Sequence, residues 1–221
     1  MFSIEKYIQR IISHLKIQFG SRLIYVGLQG SYFREEANPS SDIDVMVVLD
    51  TLSLSDLADY RAVIESLEYP ERSCGFICSR EDLMNWNHLE LCNLVNGTKD
   101  YYGVLRELIP DYTEEDLRSF VQLSINNLYH EICHRYVHGK TEKNMDALPY
   151  MYKGVFFILQ NLYCLTHGVF VVKKAELAAL LEGKSREVLM RSIGFADGTA
   201  YDYAESFELL FAWCQETLQI L

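Results

Sequence analysis

The run from Ile43 to Leu49, IDVMVVL, most constrains what this chain can fold into. It is almost wholly apolar and rich in β-branched residues, so it reads as a strand buried on both faces and central in a sheet. Arg22 to Leu28 (RLIYVGL) reads as a strand before it, and Cys74 to Ser79 (CGFICS) as a short strand after it. Ile4, Tyr7, Ile8, Ile11, Ile12 and Leu15 recur at helical spacing, which predicts an opening helix ending near Gly20. Leu57, Tyr60, Ile64 and Leu67 give a second helical stripe over Ser53 to Leu67, with Ser53 or Ser55 as its cap. The segment GSYFREEANPSS between the first two strands is rich in turn formers and reads as a loop.

The pattern changes after Tyr101, Tyr102 and Gly103. Thr113, with Asp116 three residues on, marks the start of a helix running to about His138. A further helix is expected from Leu148 to His167, with Pro149 in its first turn and Gly168 just beyond its end. Shorter ones are expected over Lys174 to Leu181 and Lys184 to Ile193, and a last one from Tyr203 to Leu221. The expected architecture is an α/β domain with a mixed sheet and flanking helices over residues 1–108, then an all-α helical bundle over 109–221.

Charge and composition narrow the function. The 221-residue chain has a formal net charge of −11, which repels a phosphodiester backbone, so a long nucleic acid is disfavoured as partner. A single nucleotide carried by a divalent cation is not. No apolar run approaches the ~20 residues that span a bilayer, so no membrane partner is expected. The first residues lack the unbroken apolar core of a signal peptide, and a cytoplasmic protein is the expectation. Cys74, Cys78, Cys92, Cys133, Cys164 and Cys214 form no CxxC pair, lie mostly in apolar stretches and read as buried thiols.

The chemistry is concentrated at Gly30-Ser31, followed after ten residues by Asp42-Ile43-Asp44. Side chains at i and i+2 of a strand point to one side, so Asp42 and Asp44 project together. Two carboxylates held that close repel each other unless a hard cation lies between them. Mg²⁺ suits the pair, because it accepts one or two carboxylates and fills its other positions with water and phosphate oxygens. Gly30 allows the backbone close to a phosphate, and Ser31 adds a hydroxyl and N–H donors.

This Gly-Ser-x10-Asp-x-Asp pattern resembles the signature of the DNA polymerase β-like nucleotidyltransferases, in particular their minimal prokaryotic branch. The later run Leu159-Gln-Asn-Leu-Tyr163, with Gly168 and Lys173, resembles the helix-Gly-strand-Lys segment of the streptomycin/spectinomycin adenylyltransferases. The resemblance implies an NTP, ATP first, with Mg²⁺ or Mn²⁺ held by Asp42 and Asp44. It also implies transfer of a nucleoside monophosphate to a hydroxyl of a small-molecule acceptor, such as an aminoglycoside-like alcohol. Ser31, Ser41 and Lys173 would then contact the triphosphate, with Lys153 as a second cation for it, and the nucleotide would lie between the two domains.

The chain departs from the family in one respect. A third carboxylate is normally found on the next strand; aligning Ser79 to Trp86 with the family's acidic turn puts Cys74 there, with Glu71 and Asp82 at either end of the strand. A catalytically weak nucleotide-binding regulatory protein is therefore one alternative. An antitoxin-like enzyme that modifies a partner protein is another. A self-contained toxin is not supported, because Arg135 precedes His138 by only three residues.

His130-Glu131-Ile132-Cys133-His134 also fits HExxH, the zinc-protease helix, but no third His or Gly follows at the metzincin offsets. His130, His134 and His138 lie at i, i+4 and i+8, away from the stripe of Leu117, Val121, Leu128 and Ile132. They read as a solvated or interface row, or as a row touching the acceptor, with Glu131 as a base beside it. Trp86, Tyr101 and Tyr102 read as core aromatics in preference to base-stacking platforms.

Overall fold

A computed structural model describes residues 2–221. The chain divides into two compact units, one ending at Asp111 and the other spanning Tyr112–Leu221.

The first unit opens with α1 (Ile4–Phe19), capped by the Ser3 side chain and ended at Gly20. Its stripe of Tyr7, Ile8, Ile11, Ile12, Leu15 and Phe19 is buried. Next come β1 (Leu23–Leu28), the four-residue helix α2 (Gly30–Phe33), β2 (Ile43–Leu49), α3 (Leu54–Glu65) and β3 (Ser73–Ser79). The helices α4 (Arg80–Met84) and α5 (His88–Asn96) precede β4 (Lys99–Tyr102).

The sheet is mixed, in the order β3-β2-β1-β4. β1 is antiparallel to both β2 and β4, whereas β2 and β3 are parallel. A parallel pair cannot be closed by a tight turn, and α3 supplies the crossover. Ile43, Val45, Val47 and Leu49 enter one core with α1, Val63 and Leu67, while Met46 and Val48 are fully buried on the opposite face. The central strand is thus covered on both sides, as its unbroken apolar run requires.

Ser53 and Asp56 form a capping box at the start of α3. Arg22 then grips both Asp56 oxygens, at 2.8 and 3.0 Å, which ties α3 to the start of β1. That bidentate contact, with help from Ser53, holds the Asp56 carboxyl well below the usual carboxylate range.

The second unit is helical: α6 (Glu114–His138), α7 (Thr141–Lys153), α8 (Val155–His167), α9 (Lys174–Leu180), α10 (Gly183–Ala196) and α11 (Tyr203–Ile220). Thr113 and Asp116 close the capping box at α6. The core gathers Val121, Ile125 and Ile132 of α6, Phe156 and Leu159 of α8, and Leu210 and Trp213 of α11. No helix of the described residues is long and apolar enough to cross a membrane.

The helices depart from expectation at one place. Leu148 to His167 is not one helix starting at Pro149. α7 begins at Thr141, carries Pro149 in its interior, and breaks from α8 at Gly154. Proline has no N–H for the carbonyl four residues back. That carbonyl, of Met145, accepts instead from the Tyr201 hydroxyl at 3.0 Å. A second correction concerns the segment around Lys173: residues 169–173 form no strand. The Gln160 amide donates to the Val171 carbonyl at 2.6 Å and fastens the segment to α8.

Candidate nucleotide and metal site

The two halves of the sequence motif meet at the ends of β1 and β2. The Gln29 N–H donates to the Asp44 carbonyl at 2.9 Å as the chain leaves β1. The next residue, Gly30, opens α2 with φ +67°. A Cβ there would stand 1.9 Å from Asp44 Oδ2. Glycine is therefore required twice at this point, by the left-handed backbone and by the carboxylate packed against it.

Ser31 is half-buried in α2. Asp44 is half-buried on the β2 face that carries Met46, whereas Asp42 is exposed and stands one residue before β2 begins, not on the strand itself. Ser41 lies at the end of a tight turn: its N–H donates to the Asn38 carbonyl at 3.0 Å, and its hydroxyl accepts from the Asn38 N–H at 2.9 Å. Lys153 ends α7, and Lys173 precedes α9, both in the second unit.

Exchanging Gly30 for alanine is expected to lower Mg²⁺-dependent ATP affinity by at least ~10-fold and to cost roughly 1–3 kcal/mol of stability. Gly20 provides the contrast, because it has φ +58° but nothing within 4 Å of an added Cβ. Gly20→Ala should lower the melting temperature and leave ATP affinity unchanged. Calorimetry and thermal melts of both variants check this, and equal effects on binding would contradict the assignment.

Cys74 is the register partner of Asp44 across β2 and β3, and it is exposed. Partial burial first, then the charges of Asp44 and Asp42 and a hydrogen bond to Asp44, push the thiol up from its ordinary pKa. It is a neutral neighbour of the carboxylate pair. Among the described residues no group of three or more His, Cys, Asp or Glu is arranged to hold a metal ion. The Asp42/Asp44 pair therefore offers only two hard oxygen ligands, a donor set that suits Mg²⁺ with phosphate and water completing the shell.

Three acids were candidates for a base. Asp82 lies beyond the far end of β3 and is occupied in a capping box, accepting from the Ser79 N–H at 2.9 Å and the Ser79 hydroxyl at 2.6 Å. The register sets Ser79 beside Leu49, at the other end of β2 from Asp44. Glu71 precedes β3 at the end where Asp42 and Asp44 stand, and is exposed. Glu131 is ion-paired with Arg135 at 2.8 Å on α6.

His130, His134 and His138 are exposed on α6, their neighbouring ring centres 6.2 and 5.0 Å apart. Protein prepared without a polyhistidine tag is expected to carry no stoichiometric zinc. Elemental analysis finding one zinc per chain, lost in His134→Ala, would contradict this. Trp86 is half-buried, packed edge-on against Phe76 with ring centres 4.9 Å apart, and Tyr101 and Tyr102 lie in β4.

Sequence reasoning missed Arg72. Its guanidinium donates to the Ser41 carbonyl from Nε at 3.3 Å and from Nη2 at 3.0 Å, and it bonds the Tyr32 hydroxyl. No local pattern marks an arginine so far along the chain as a partner of that turn.

A mixed sheet that brings a glycine-opened turn against paired strand carboxylates defines a class of α/β proteins suited to phosphate and a divalent cation. Residues 8–77 match the nucleotidyltransferase domain family, which assigns that domain to this part of the first unit. The fold is similar to that of a spectinomycin adenyltransferase from Enterococcus faecialis, crystallised with ATP and spectinomycin, at a TM-score of 0.60. The two are 16% identical, over 98% of this chain and 100% of that one. No curated protein matches the sequence.

Proposed function

We propose that the chain moves a nucleoside monophosphate, AMP from ATP, onto a hydroxyl of a small-molecule acceptor, with Mg²⁺ or Mn²⁺ as cofactor. The observation that carries this reading is the seat of Gly30 against the Asp44 carboxylate, with Asp42 two residues before it at the entry to β2.

In this reading Asp42 and Asp44 hold the cation, which when bound offsets charge on the transferred phosphoryl group and the leaving pyrophosphate. Gly30 lets the turn's backbone come close to the phosphates, and Ser31 offers its hydroxyl and N–H to them. The Ser41 hydroxyl accepts within its turn, which leaves its proton for a phosphate oxygen. Glu71, exposed just before β3, is the candidate to take the proton of the acceptor hydroxyl.

The net charge of −11 favours a small cationic acceptor over a long nucleic acid. The adenyltransferase crystallised with ATP and spectinomycin supports ATP and an aminoglycoside-like alcohol as the first pair to try.

Cys74 in register with Asp44 favours a second reading, a nucleotide-binding regulatory protein with slow or absent turnover. Release of labelled pyrophosphate from ATP separates the two. Release that needs both Mg²⁺ and an acceptor supports transfer. Binding without release supports the regulatory reading. Neither binding nor release defeats both.

A further inference from the structure

We infer that Arg72 is a positioning residue for the carboxylate pair: it fixes the peptide between Ser41 and Asp42, and so sets where Asp42 stands relative to Asp44. The inference rests on the nucleotidyltransferase reading above.

The segment from Arg34 to Asp42 belongs to no strand or helix. Its last turn is closed by bonds between Asn38, Ser40 and Ser41, so it behaves as a small unit that needs an external anchor. Arg72 supplies one. Two of its nitrogens converge on a single oxygen, the carbonyl of Ser41. A peptide group is planar, so holding that oxygen also sets the direction of the Asp42 N–H and the chain's entry into β2.

The same guanidinium bonds the Tyr32 hydroxyl. Tyr32 belongs to α2, the helix that Gly30 opens and that carries Ser31. Arg72 therefore joins both halves of the motif, the Gly-Ser turn and the Asp-x-Asp strand. It is itself held in place. Its guanidinium carbon lies 4.8 Å from the Phe2 ring centre and 5.7 Å from that of Tyr32, and its own N–H donates to the Tyr69 carbonyl at 3.1 Å. Lysine cannot replace it, because one compact ammonium lacks both the planar fork and the flat face that lies over the Phe2 and Tyr32 rings.

ATP binding by calorimetry, with and without Mg²⁺, tests this in the full chain. Arg72→Lys and Arg72→Ala are expected to lower Mg²⁺-dependent affinity by about 10-fold or more and to leave metal-free affinity as in wild type. Ethylguanidinium, but not ethylammonium, should restore part of the affinity in Arg72→Ala. Tyr32→Phe removes one hydroxyl only, and should shift Mg²⁺-dependent affinity in the same direction by a smaller factor.

Full affinity in Arg72→Lys overturns the inference, and so does full affinity in Tyr32→Phe if the Arg72 variants fail to fold. An equal fall with and without Mg²⁺ also overturns it, since that makes Arg72 a direct phosphate ligand. Wild type that binds ATP indifferently to Mg²⁺ overturns the nucleotidyltransferase reading, and this inference with it.

Discussion

Replacing Asp42 and Asp44 together by asparagine is expected to abolish Mg²⁺-dependent ATP binding and leave the fold intact. Asparagine keeps the shape of each side chain and removes only the charge. Neither aspartate belongs to the buried core, and Asp42 is exposed. The metal-free wild type holds two carboxylates at the entry to β2, and these repel the triphosphate as well as each other. Wild type should therefore bind ATP weakly without Mg²⁺ and tightly with it, whereas the double variant should bind weakly in both conditions. Its metal-free affinity should be no worse than that of wild type, because the repulsion is gone. Calorimetry at matched ionic strength reads this directly. An unchanged Mg²⁺ response in the double variant would remove the site from these residues.

The second large effect is expected on the acceptor side. An alcohol's own pKa lies far above 7, so its attack needs a base, and a general base typically contributes ~10²–10⁴-fold. Cys74 occupies the strand position beside Asp44, and its thiol is neutral and soft, a poor ligand for Mg²⁺. Wild-type turnover on standard aminoglycosides is therefore expected to be slow. Cys74→Glu or Cys74→Asp should raise it, and should also enlarge the upward shift in melting temperature on adding Mg²⁺, because a third carboxylate deepens metal binding to the folded state. If Glu71 already serves as base, Cys74→Glu is neutral and Glu71→Gln lowers kcat by roughly 10²-fold. Asp82→Asn should not lower kcat on that scale, since its carboxylate caps α4 at the far end of β3. Rapid wild-type transfer insensitive to amide changes at Glu71, Asp82 and Glu131 would contradict this account of the acceptor side.

What the sequence makes legible follows from how local each signal is. β2 is readable because a strand buried on both faces must be apolar at every core position, and IDVMVVL is. α1 and α6 are readable because stripe and cap both lie within the helix itself. The break at Gly154 is not. Pro149 is a favoured first-turn residue, so it reads as a helix start. Inside α7 the Met145 carbonyl that Pro149 leaves without its N–H accepts from the Tyr201 hydroxyl, far along the chain. α2 is hidden because GSYF is four residues of a turn-rich segment. β4, KDYY, is too short to show a period and is a strand because it pairs with β1.

The site divides in the same way. Gly30, Ser31, Asp42 and Asp44 stand out in a linear motif, and the sheet register then brings Gly30 onto Asp44. The meeting of Cys74 with Asp44 is a matter of register between two parallel strands, and Arg72 reaches Ser41 only through the folded chain.

A crystal grown with Mn²⁺ and a non-hydrolysable ATP analogue tests the central claim most directly, because the anomalous signal locates the ion without reference to activity. The account expects one peak within ~2.0–2.3 Å of carboxylate oxygens of both Asp42 and Asp44, bridged to phosphate oxygens of the nucleotide. A nucleotide bound away from the Gly30 turn, or an ion that leaves either aspartate uncoordinated, would contradict it.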